Sequence, residues 1–379
     1  MPRLVGTSSS IESRAAPRRP PRYLFIDRLR LAAVLSVVFL HVVLTNPPGE
    51  STPYRRLASL LCSIFSNETL IFVSMFLALS DFRSERWASF YRARLFRIGI
   101  PFLCLSILYV AMDALWQRSG IFFRFSLPEA TVLAITTGLA EYHLHFLPTL
   151  LTLFLFLPLF ARDAKLPAIL LMICVGSLLR TAIQYMVLRD SDLSALTTTQ
   201  LLLLHLAKVI AYFPFGFLAR WFVGRLLQQP AAHAGSMIAK RGIPVFMASI
   251  VAVDLLLDGV LGTEPSAFQL GIVLHDLISS TLITSGIFLL SGAFSRPSDD
   301  GKPSDLLTTM SSHAFLVLMI HPAFLKLFRL LVPRYDGTLI ADILCVGCVL
   351  SASLAVAMGT KWASRQIWPD GSTNRRAFS

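Results

Sequence analysis

The sequence predicts an all-α, polytopic integral membrane protein with about ten transmembrane helices and both termini cytoplasmic. Three observations lead there. The 379-residue chain is 55% hydrophobic and only 15% charged, whereas a soluble globular domain carries about 25% charged residues. Its apolar residues gather into runs of about 20, the length a helix needs to cross a hydrocarbon core. Its 34 Lys and Arg, set against 22 Asp and Glu, concentrate in alternate connections rather than spreading evenly.

The ten runs lie near residues 24–45, 57–80, 98–116, 143–161, 166–188, 200–222, 243–261, 268–293, 311–333 and 338–360. The second is the weakest, because Asn67 and Glu68 fall near its centre. Between the runs, 22 basic residues fall in the N-terminal tail, in segments 81–97, 162–165, 220–242 and 294–310, and at the C-terminus. Only 6 fall in the alternate connections. Positive loops remain cytoplasmic, which sets both termini on that side. The net charge of +12 therefore reads as a topology signal. The expected partner is a lipid bilayer, and no nucleic acid is needed to explain the charge.

Residues 1–22, rich in Arg, Pro and Ser, read as a disordered basic cytoplasmic tail. Residues 23–362 read as one membrane domain and 363–379 as a cytoplasmic C-terminal tail. No signal peptide is expected, since Asp27, Arg28 and Arg30 interrupt the first apolar stretch. The five cysteines all lie in apolar runs, which argues against a disulfide framework. Cys345 and Cys348 form a CxxC, yet they read as small buried hydrophobes, and no metal site is expected.

Ionisable side chains inside a bilayer are costly, so those in the spans are functional candidates. Arg30 and His41 are eleven residues apart, which places them within about 20° of one helix face and about 16 Å apart along the axis. Asp27 falls about 40° from His41 on the other side. One stripe of the first helix thus runs from a cytoplasmic acid and arginine to a histidine deep in the membrane. The bland alternative makes Asp27 and Arg30 interfacial anchors and His41 a packing residue. Arg94 and Arg97 are three apart on one face, a spacing suited to gripping phosphate. It equally suits a positive-inside signal or contact with anionic lipid.

Other histidines within the apolar runs stand at His143, His145, His205, His275, His313 and His321. A neutral imidazole can take a proton from an alcohol, and His143 and His321 are second candidates for that role. Arg180 lies within a span and requires an anionic or carbonyl partner, which is either Glu68 or a substrate carboxylate.

The string from Arg22 through Asp27 to Arg30, followed by His41, resembles the opening helix of the membrane acyltransferase 3 family. Further strings fit in the same order: Phe76 to Phe82, Arg94-Leu-Phe-Arg97-Ile-Gly-Ile-Pro101, His143-Leu-His145-Phe146, Tyr212 to Gly216, and Ser312 through His321-Pro322. The match covers Tyr23 to about Trp362. Asp81 stands where the family pattern has Gly, and His145 where it has Trp. Within the family the chain looks most like the branch that succinylates osmoregulated periplasmic glucans, on the Tyr23-x-x-x-Asp27 opening, the Arg-Ile-Gly-Ile-Pro string and Leu179-Arg180-Thr181.

The resemblance implies an O-acyltransferase of the bacterial inner membrane. It would move a succinyl or acetyl group from cytoplasmic acyl-CoA, a donor substrate rather than a bound cofactor, to hydroxyls of a carbohydrate acceptor. A periplasmic glucan is the first expectation, and a polysaccharide or lipopolysaccharide the alternative. A transporter-like protein is a further alternative, although the repeated halves of that class are not visible. The expected roles are phosphate docking by Arg94 and Arg97, with Arg30 near the thioester arm. His41 is expected as general base or transient acyl acceptor, held in register by Asp27 and Arg30. Arg180, with Glu68 beside it, is expected at the acyl group's carboxylate.

Overall fold

The computed structural model describes residues 24–44, 67–82, 87–115, 125–138, 144–188, 196–228, 305–332 and 338–367. Regular structure among the described residues is entirely helical. Among the described residues, five helices are long and apolar enough to cross a membrane: Trp87–Met112, Leu166–Val187, Thr198–Gly224, Thr309–Leu331 and Leu339–Thr360. The expected spans at 243–261 and 268–293, and residues 1–22, lie outside the described residues.

The first helix, α1 (Leu24–Leu44), has the length to cross but carries Asp27, Arg28 and Arg30. Ile26, Leu29, Ala33, Val37 and Val38 are buried along it, a helical repeat that turns one face inward. Helix α2 (Asn67–Asp81) packs beside it.

The third span begins earlier than expected. Helix α3 (Trp87–Arg94) continues through a π-helical turn at Leu95–Gly99 into α4 (Ile100–Leu115), so segment 81–97 is not a loop throughout. The stretch from Trp87 to Arg94 contains no Gly or Pro, and its aromatic residues anchor it: Tyr91 Oη donates to the Phe154 carbonyl at 2.8 Å. The π turn precedes Pro101, whose missing N–H interrupts the regular ladder. There the Ile100 N–H reaches back five residues to the Leu95 carbonyl.

Helix α5 (Leu127–Thr137) falls where the sequence reading placed only a connection. Its signals are local: the Ser126 N–H and Oγ both donate to Glu129 Oε2, at 3.0 and 2.8 Å, and Pro128 sits in the first turn. At the other end Gly138 adopts φ 73°, the left-handed cap that glycine supplies. A Cβ there would lie 2.4 Å from the His145 Cα, so this glycine lets the chain around His145 return against α5.

Two expected single spans are each interrupted by proline. The fourth divides into α6 (Phe146–Leu155) and α7 (Leu157–Phe160) beside Pro158; the sixth divides into α9 (Thr198–Tyr212) and α10 (Pro214–Gln228). Between them α8 (Leu166–Leu188) runs unbroken, and α11 (Asp305–Leu331) and α12 (Leu339–Ile367) complete the described set. The last helix continues past the expected end of its span near 360.

Helix α1 packs against α2, α11 and α12, while α2 also contacts α6 and α10. Asp27 meets Ser311 and His41 meets His321. Residue numbers therefore rise together on α1 and α11, and the two helices run parallel. Helices α8 and α9 approach closely at Gly176, where a Cβ would stand 3.1 Å from the Ile210 carbonyl.

Gly216 faces the Phe160 ring, and a Cβ there would meet it at 2.6 Å. That ring is confined by Phe213 and Phe217 at centroid distances of 4.8 and 5.1 Å. Gly216→Ala should destabilise the bundle by about 1–3 kcal/mol through overpacking, read as a lower thermal midpoint in detergent. Gly224→Ala, with nothing within 4 Å of its Cβ, should leave the midpoint close to the parent value.

Candidate active site

The α1 stripe expected from the sequence finds its partners on α11. At one end the Ser311 Oγ donates to Asp27 Oδ1 at 2.6 Å, and the Arg30 guanidinium donates to the Ser311 carbonyl at 3.3 Å. Asp27 and Ser311 are both buried. A single serine is thus held through its side chain by the acid and through its backbone by the arginine. Ser311 was not among the sequence candidates; the signal was its place beside Ser312 at the start of the Ser312-to-His321 string.

At the other end His41 Nδ1 lies 2.7 Å from His321 Nε2, and both rings are buried. The ring planes are 18° apart with centroids 5.0 Å apart. This spacing accommodates one ring radius on each side of the hydrogen bond, so the rings meet edge to edge rather than face to face.

The tautomers follow from the backbone. Pro322 has no N–H, so the Leu318 carbonyl, four residues earlier, lacks its usual helical donor. His321 Nδ1 lies 2.7 Å from that oxygen. A carbonyl can only accept, so Nδ1 of His321 carries the proton and its Nε2 is the acceptor. His41 must then donate from Nδ1, which leaves the His41 lone pair on Nε2. A proline inside a helix thereby fixes which nitrogen of a histidine on another helix is basic.

His145, at the start of α6, is close enough to interact electrostatically with His41. The sequence reading preferred His143, which lies outside the described residues. The structure therefore brings His41, His321 and His145 together, with Arg30 about 16 Å and Asp27 about 21 Å away along α1.

The arginines gather near the Arg30 end. Arg94 Nη2 lies 3.4 Å from Asp81 Oδ2 at the last residue of α2. Its guanidinium stands over Phe90 and Phe154, 5.0 and 5.9 Å from the ring centroids. Arg97 interacts electrostatically with both Arg94 and Asp81, and Arg30 with Arg94. Arg30, Arg94 and Arg97 thus form one positive cluster with Asp81 beside Arg94 and Arg97, bringing Arg30 to a pair that the sequence had linked by spacing.

Arg180 stands apart from these groups. Its guanidinium lies 5.8 Å over the Tyr212 ring on α9, and it interacts electrostatically with Lys208 one turn earlier on that helix. The expected pairing with Glu68 lies outside the description, because nothing of the Glu68 side chain is described. Cys345 is buried and Cys348 exposed, and neither is in a disulfide.

A helical membrane bundle with a hydrogen-bonded histidine pair inside it and an arginine cluster toward one end of the same helix has the parts of a membrane-embedded group-transfer enzyme. Residues 23–362 match the family model described as an acyltransferase domain, the acyltransferase 3 family. The chain belongs to that family and is a membrane acyltransferase. No curated protein and no solved structure matches it.

Pro322→Ala would restore an N–H that competes with His321 for the Leu318 carbonyl. The variant should keep or gain thermal stability, since a helix-interior proline costs about 3 kcal/mol relative to alanine. Acyl transfer should nevertheless fall. Paired measurements of thermal midpoint and initial rate separate this tautomer effect from simple misfolding.

Proposed function

We propose that this protein transfers a succinyl group from cytoplasmic succinyl-CoA to a hydroxyl of a periplasmic glucan. The His41–His321 hydrogen bond carries the reading, because it leaves His41 Nε2 as a base. The acceptor hydroxyl gives its proton to Nε2 as its oxygen attacks the thioester carbonyl. The tetrahedral intermediate collapses with cleavage of the carbon–sulfur bond, and the protonated His41 returns the proton to the departing thiolate.

When His41 becomes an imidazolium, its Nδ1–H bond to His321 becomes charge-assisted and strengthens. His321 thus takes the orienting place that an aspartate occupies in a Ser-His-Asp triad, without a charge of its own. Asp27 and Arg30, clamped on Ser311, hold α1 in register with α11. Arg94 and Arg97 receive the donor's phosphates, and Arg30 lies toward its pantetheine arm. Arg180, with Lys208 beside it, supplies positive charge for the succinyl carboxylate.

His41→Ala should lower transfer by about 10²- to 10⁴-fold, the usual range for loss of a general base. The assay is label moving from acyl-CoA to a sugar fraction in isolated membranes. Retained transfer with normal expression overturns the assignment. Mass analysis of periplasmic glucans with and without the gene tests the acceptor directly: unchanged succinylation there, with loss of acyl groups from another surface polysaccharide, moves the acceptor to that polymer.

Arg180→Ala should impair a succinyl donor about tenfold or more beyond an acetyl donor, the scale of a hydrogen bond to a charged group. The two donors are compared by kcat/KM in the same membranes. Equal losses remove Arg180 from carboxylate recognition.

A further inference from the structure

We propose that Asp81 is a built-in competitor for the donor: its carboxylate occupies part of the arginine cluster and must be displaced by the phosphates of the incoming acyl-CoA. This rests on the reading of Arg94 and Arg97 as the donor's phosphate site.

The two halves of the Arg94–Asp81 pair are held very differently. The Arg94 side chain is 16% exposed and lies over two aromatic rings, whereas the Asp81 side chain is 50% exposed. Their contact of 3.4 Å is long for a charge-assisted hydrogen bond, which closes to about 2.7–2.9 Å. The guanidinium is therefore fixed and the carboxylate loosely attached, the arrangement expected if the acid is the replaceable member.

Helix stability does not account for an acid at this position. Asp81 is the last residue of α2, and the last turn contains no basic residue. A negative charge at a helix C-terminus opposes the macrodipole. What Asp81 gains there is proximity to Arg94 and Arg97. It reduces the repulsion among Arg30, Arg94 and Arg97 in the empty protein. The same charge weakens the attraction that the cluster exerts on an anion. A phosphate can take over both functions, neutralising the arginines while accepting their hydrogen bonds in pairs.

Asp81 would then set how much free donor is needed to fill the site, acting on binding rather than on the acyl-transfer chemistry at His41. Removing its charge should tighten coenzyme A binding by roughly twofold to fivefold, the scale of a partly exposed ion pair. The effect should shrink once Arg94 is removed, leaving only what Asp81 exerts on Arg97.

The test uses the full chain in lipid nanodiscs with coenzyme A as ligand, comparing the parent with Asp81→Asn, Asp81→Gly, Arg94→Ala and the Asp81→Asn/Arg94→Ala double variant. The expected result is tighter binding by both Asp81 variants, weaker binding by Arg94→Ala, and a smaller gain from Asp81→Asn in the Arg94→Ala background than in the parent. Dephospho-coenzyme A, which lacks the 3′-phosphate, shows whether that phosphate is the group in contest: the gain from Asp81→Asn should shrink with it. Unchanged or weaker binding by the Asp81 variants, or a gain undiminished without Arg94, overturns the proposal while leaving the donor site intact. A parent protein that fails to bind coenzyme A, or binds it equally without Arg94, overturns the donor site itself.

Discussion

The hydrogen bond between His41 and His321 is the contact to which the rest of the arrangement answers. It needs two helices far apart in sequence to run parallel, at one rotational setting, with one particular nitrogen of each ring turned inward. The clamp of Asp27 and Arg30 on Ser311 provides a second point of registry. Two points fix the slide and rotation of α1 against α11, and Pro322 fixes the proton. Polar bonds between membrane helices are individually modest, of order 1 kcal/mol. Their value here is geometric, since a shift of one residue on either helix would separate both pairs.

The use of a proline-released carbonyl recurs. Pro158 cannot donate to the Phe154 carbonyl, and the Tyr91 hydroxyl takes that oxygen at 2.8 Å. Pro214 likewise leaves the Ile210 carbonyl without its helical donor, and Gly176 on α8 packs directly against it. Within hydrocarbon, every backbone polar group must be satisfied by protein. A proline therefore leaves a carbonyl in need of another donor, and in this chain a histidine serves the Leu318 oxygen and a tyrosine from another helix the Phe154 oxygen. Broken helices here serve as points of attachment.

Much of the architecture was legible in the sequence, because membrane crossing imposes simple requirements on length and polarity. The stripe of Asp27, Arg30 and His41 was also legible, since helical periodicity alone puts them on related faces. The partners on α11 were not: His321 could be marked as a candidate by type, but no pattern within α1 says which helix lies against it. Ser311 was invisible for a similar reason, as a serine in a span is ordinary until its neighbour is known. The start of the third span was misjudged because five arginines between residues 83 and 97 read as a loop, whereas the helix begins at Trp87, with Phe90 and Tyr91 packed against neighbouring rings. Helix α5 was overlooked although Ser126, Pro128, Glu129 and Gly138 spell out both of its ends. The Arg94–Asp81 contact joins two elements whose relative placement no spacing rule supplies.

His41 and His321 are separated by 280 residues, a distance that also governs how the protein is made. Helix α1 leaves the ribosome first, and the segment that pairs with Asp27 and His41 follows after nearly the whole membrane domain has been synthesised. At 5–20 residues per second, that interval is roughly 15 to 60 seconds. During it the first helix must reside at the membrane without the α11 partners that accommodate its polar groups, so its final seating waits for the ninth expected span. A chain cut short before Ser311 retains a first helix whose Asp27 and His41 never meet Ser311 and His321, so the order of synthesis leaves the seating of the first helix to one of the last.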